Sequence, residues 1–91
     1  MFGLDLQKRE EITVRGVVEP YNWDKDDNVV TVALVTDGEQ YIIEHRGPGR
    51  MLLLHLNDLV EVCGTLRIDR WGLNNLAASH FQVLSGRSNA R

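Results

Sequence analysis

The stretch ITVRGVV, Ile12–Val18, and its echo VEVCGTL, Val60–Leu66, each place a glycine inside a short run of β-branched and apolar residues. Apolar positions alternate with polar ones toward the glycine, which is the period of a half-buried strand. A glycine weakens a strand interior, because it has more backbone freedom to lose and no side chain to pack. Gly16 and Gly64 are therefore expected where a bulge or sharp bend requires them. Two bent strands in one short chain predict a small, curled, all-β barrel.

The rest of the chain supplies the partners of those two strands. The first strand is expected over about Ile12–Tyr21, with Ile12, Val14, Gly16 and Val18 on one face, and Pro20 limits its pairing. Asn22–Asn28, NWDKDDN, reads as a loop, and Val29–Thr36 as a central strand with apolar residues on both faces. Asp37-Gly38 is a hairpin signal leading into a returning strand, Gln40–His45. RGPGR, Arg46–Arg50, breaks the pattern, and MLLLHL, Met51–Leu56, is read as a helix of one or two turns. Asn57-Asp58 turns the chain into a fourth strand, Leu59–Asp69, on which Val60, Val62, Gly64, Leu66 and Ile68 share a face. Arg70–Leu73 reads as a hairpin loop, followed by a fifth strand over about Asn75–Leu84. Residues 1–10 are expected to be a flexible leader, 11–84 one domain, and 85–91 a disordered tail.

Composition bounds the function. Ninety-one residues suffice for one modest core, and 43% hydrophobic with 25% charged residues is ordinary for a globular protein. A formal net charge of −3 argues against nonspecific attachment to nucleic acid or to anionic membranes, since both reward clustered lysine and arginine. A single cysteine, Cys63, allows no internal disulfide. Neither a signal-like apolar stretch at the start nor an apolar run of spanning length is present, so the expectation is a cytoplasmic, soluble protein with no membrane partner.

The order strand, strand, strand, short helix, strand, strand, with bend glycines in the first and fourth strands, resembles the OB-fold. ITVRGVV, the Asp37-Gly38 hairpin, LNDLVEVCGTL and LAASHFQVL together look like the small OB domains of the anticodon-binding type, over Ile12–Leu84. One departure is Asn57-Asp58, where many such domains carry a glycine-aspartate turn. The resemblance implies a five-stranded Greek-key barrel with a short helix between strands 3 and 4. It also implies a ligand surface on strands 2 and 3, flanked by the loops joining strands 1 to 2 and 4 to 5. Those loops carry Tyr21, Trp23 and Trp71. The indoles could stack on unpaired bases or could close the barrel end as amphipathic core residues.

Charge near those loops cuts both ways. Asp24, Asp26 and Asp27 crowd Trp23 against a lone Lys25, which makes the first loop a poor phosphate clamp. Arg46 and Arg50 bracket the Gly-Pro-Gly segment and Arg70 precedes Trp71, so these three are the candidate phosphate contacts. Arg15 and Arg67 are read instead as ion-pair partners of Glu61 or Glu19 on adjacent strands.

Other constellations fail on inspection. Asp24, Asp26 and Asn28 alternate as in an EF-hand, but Val29 and Val35 stand where its glycine and bidentate glutamate belong. Gly47 and Gly49 begin a dinucleotide-type motif that Leu52 ends. His45, His55 and His80 lack a recurrent metal-ligand spacing, Ser79 and His80 point to opposite faces of one strand, and Cys63 has no basic neighbour. No catalytic set, metal or cofactor is expected. The leading expectation is a noncatalytic OB-fold module binding single-stranded DNA or RNA through Tyr21, Trp23, Trp71, Arg70, Arg46 and Arg50. The alternative is a protein-interaction or assembly module, served by an uncharged strand face of Val29, Thr31, Ala33 and Val35.

Overall fold

The computed structural model describes residues 10–85. They form five strands and one 3-10 helix: β1 (Glu10–Trp23), β2 (Val29–Val35), β3 (Gln40–Ile43), the helix (Gly47–His55), β4 (Leu59–Ile68) and β5 (Asn74–Ser85). The expected leader and tail lie outside the described residues, except that Glu10 opens β1 and Ser85 ends β5. Pairing runs β1-β2-β3-β5-β4, and β4 returns to β1, so the single sheet closes on itself. All neighbours are antiparallel except β3 and β5, which are parallel.

Closure rests on the two glycines, through space rather than backbone dihedral: neither has a positive φ. β1 leaves one partner for the other at this point, since Gly16 faces Val60 of β4 while Val17 faces both Leu59 of β4 and Val35 of β2. A Cβ on Gly16 would sit 2.7 Å from the Val35 carbonyl oxygen. On β4, Cys63 faces His80 and Gly64 faces Ala78, which leaves Ser79 as an extra residue on β5. The expected bulge at Gly64 is therefore on the opposite strand, where the Ser79 hydroxyl donates to the Cys63 carbonyl over 3.1 Å. A Cβ at residue 64 would meet the Ala77 carbonyl oxygen at 2.2 Å.

The core fills from the predicted faces. Val18, Leu34, Val60, Val62 and Leu76 are fully buried, as is Leu52 from the helix. The connection between β3 and β4 is a 3-10 helix, and it starts at Gly47 rather than Met51, with Pro48 in its first turn, where a missing amide donor costs little. Three residues per turn put Gly49, Leu52 and His55 on one stripe. Gly49 and Leu52 are buried, and His55 Nδ1 lies 3.1 Å from Asp58 Oδ2 while its ring meets Phe81 edge-on. The turn after the helix is pinned to β1: Asn57, at φ 72°, donates its amide to the Val18 carbonyl (2.7 Å), and Val18 donates back to Asp58 (3.1 Å).

Three expectations change. β1 extends through Tyr21 and Asn22 to Trp23, shortening the first loop. β2 does not present Val29, Thr31, Ala33 and Val35 as one open face. Register shifts at Pro20, Asn22 and Trp23 turn Val29 onto the core, and Ala33 is only 1% exposed. Nor is β2 an edge, being paired with both β1 and β3. Finally, β4 outruns the barrel, so that Ile68 shares a face with Val60 and Val62 yet is exposed.

Gly64→Ala should cost more than Gly16→Ala, because the added methyl meets backbone at the shorter distance. Thermal melts should show about 2 kcal/mol or more lost for Gly64→Ala, a drop in Tm of roughly 10 °C. Equal and negligible losses would contradict the close approach.

Candidate functional site

The loops beside the two tryptophans, one following Trp23 at the end of β1 and one containing Trp71, are built by carboxylates. Between β1 and β2, Asp24 accepts from the amides of Asp26 (2.8 Å) and Asn28 (3.0 Å). Between β4 and β5, Asp69 Oδ1 accepts from the amides of Trp71 (2.9 Å) and Leu73 (3.0 Å), and its Oδ2 accepts from Asn75 Nδ2 (3.1 Å). These bonds hold both carboxyls below the usual aspartate range, with the Asn28 amide the main cause for Asp24 and the Leu73 amide for Asp69. Asp-led turns of this kind preset a loop's shape without a hydrophobic core beneath it.

Both tryptophans point to solvent, Trp23 being 54% and Trp71 74% exposed, and neither joins the core cluster. Closure of the barrel end is thus not their role. Arg70 lies over the Trp71 ring with its guanidinium carbon 5.3 Å from the centroid. Tyr21 is half-buried on β1.

The register shows what these residues can share. Trp23 faces Val29 at the start of β2, whereas Asn74, just past the other loop, faces Tyr41 at the start of β3 and donates to Glu39 and Gln40. The two loops therefore bracket opposite ends of the β2–β3 ribbon, separated by about 15–20 Å of strand at 3.3–3.4 Å per residue. The two indoles are not brought onto one ligand contact.

Of the candidate arginines, Arg46 is held by Glu44 (Nε to Oε1, 3.3 Å). Glu44 also takes Arg67 from β4 (2.5 Å), whose guanidinium is held above the usual arginine value chiefly by this bond. Arg67 thus pairs with neither Glu61 nor Glu19, while Arg15 pairs with Glu61 at 3.0 Å as expected. Arg50 is exposed and makes no ion pair among the described residues.

The chain holds ten Lys and Arg against thirteen Asp and Glu, a net charge of −3. Acids stand on both sides of the β4–β5 tip. Glu10 and Glu11 face Leu66 and Thr65 across β4, and Glu39 is tied to the tip through Asn74. Sequence reasoning missed Ile68 (62% exposed) and Leu73 (40%), which flank Trp71 and make the tip an apolar knob. Among the described residues no group of three or more His, Cys, Asp or Glu is placed to hold a metal ion, and no helix is long and apolar enough to cross a membrane. No protein-family model matches the chain, and a search of curated proteins found no match.

Because Asp69 is depressed in the folded chain, its contribution is complete above the ordinary aspartate value of 3.8 and fades as pH falls through the lower folded value. The Trp71 and Leu73 amide resonances should report this in an acid titration, with a shared midpoint below 3.8. A midpoint at or above that value would remove Asp69 as the organiser of the tip.

Proposed function

We propose that this chain is a noncatalytic OB-fold module, cytoplasmic, with Cys63 as a free thiol, and that its partner is a protein. The OB assignment is supported by the closed order β1-β2-β3-β5-β4 and by a helix between β3 and β4 that inserts Leu52 into the core. Fold alone leaves the ligand open. The observation that carries the choice of partner is the exposed apolar tip, Ile68, Trp71 and Leu73, in a chain of net charge −3. Binding to nucleic acid draws affinity from phosphates neutralised by free lysine and arginine. Here the exposed loops offer carboxylates and large apolar side chains, a composition suited to a protein contact centred on Trp71.

A second reading, a module for single-stranded DNA or RNA, is favoured by one observation. Arg70 stacked on an open Trp71 forms a platform on which a base could lie. Arg70, Arg50 and Lys25 would then be the phosphate contacts.

The two readings separate by photo-crosslinking in cells, with a photoreactive phenylalanine replacing Trp71 in the full chain. The expected adduct is destroyed by protease treatment of the partner and survives nuclease. A nuclease-sensitive adduct would overturn the protein reading in favour of the second.

A further inference from the structure

The β4–β5 tip combines three features that a partner's chemistry must satisfy at once. Its apolar knob, Ile68, Trp71 and Leu73, is the most exposed concentration of large apolar side chains on one loop among the described residues. Its shape is preset by Asp69, which fixes the amides of Trp71 and Leu73 before any partner arrives, so less ordering entropy is lost on binding. Its flanks are acidic: Glu10 faces Leu66 of β4, on the same face as Ile68, and Glu39 lies on the β3 side, joined to Asn74 at the base of the tip. Of the cations in the neighbourhood, Arg67 is committed to Glu44, and Arg70 lies over the indole.

We infer that this tip is a docking point for a basic protein segment with an apolar anchor, the anchor packing on Trp71, Ile68 and Leu73 while its lysines or arginines face Glu10 and Glu39. This rests on the protein reading above and adds the chemistry of the partner. Charge complementarity selects the segment: an acidic one would meet like charge on both sides of the knob, and like-charge juxtaposition costs affinity and slows encounter. The apolar knob supplies the central contact, and the carboxylates form the polar rim that fixes register.

Fluorescence anisotropy of the full chain with a short labelled peptide, a leucine pair flanked by lysines, tests the inference. A glutamate-flanked copy and an oligothymidylate are the controls. The lysine peptide should bind most tightly, and added salt should weaken it. Trp71→Ala should weaken binding about thirty-fold, the scale of a central aromatic anchor. Glu39→Lys should weaken it several-fold, and Trp23→Ala, at the other end of the ribbon, should leave it unchanged. Trp71, Glu39 and Trp23 are exposed, so these variants should fold, and a retained melting transition checks that they do. Equal binding of the glutamate peptide, loss of binding with Trp23→Ala instead of Trp71→Ala, tighter binding of the oligothymidylate, or concentration-dependent self-association in place of peptide binding would each overturn the inference. If the crosslinked adduct at position 71 is protein but the lysine peptide fails, the basic chemistry is wrong and the protein reading stands. A nuclease-sensitive adduct removes both.

Discussion

The Ala77 carbonyl oxygen lies 2.2 Å from where a Cβ on residue 64 would stand, and the Val35 carbonyl lies 2.7 Å from the same position on residue 16. Both contacts are possible only for glycine, and both occur where one strand must pass close across another for the sheet to close. At Gly16 β1 passes from one partner to the other, pairing with β4 along its first half and with β2 along its second. Everything else is placed by that closure. The barrel interior it creates is filled by Leu34, Leu76 and the valines of β1 and β4, and stoppered by Leu52.

Closure also determines which surfaces remain for function. Strands paired on both sides offer few free backbone groups for strand addition, so recognition falls to side chains and loops. The parallel pairing of β3 with β5 carries the β4–β5 hairpin alongside the β2–β3 turn, and β4 continues past the barrel to lift Ile68 and Trp71 into solvent. The same strand order brings Glu44, already beside Arg46 in the chain, within reach of Arg67. An acidic surface with an apolar projection is the result.

Much of this was legible in the residues. Alternation around Gly16 and Gly64 gave the inward faces of β1 and β4, and Asp37-Gly38 marked a turn closed by Thr36 and Glu39. The helix was harder: a four-residue reading of Leu52 and Leu56 assumes α-geometry, while the 3-10 spacing aligns Leu52 with Gly49 and His55. The Arg67–Glu44 pair depends on β5 lying between β3 and β4, an order that local sequence does not encode. The inward turn of Val29 depends on two register shifts after Pro20, where strict alternation gives the wrong face. At the site, the loop position of Trp71 followed from its turn-like neighbours, whereas Trp23, read as a loop residue, ends β1. Their separation along the β2–β3 ribbon required the register.

The claim that recognition centres on the β4–β5 tip is tested most directly by the two indole N–H resonances, one from each described tryptophan. On adding the lysine-flanked leucine peptide to the full chain, the Trp71 signal should move and saturate while the Trp23 signal stays in place. Movement of Trp23 alone, or of both signals with an oligothymidylate but neither with the peptide, would contradict it.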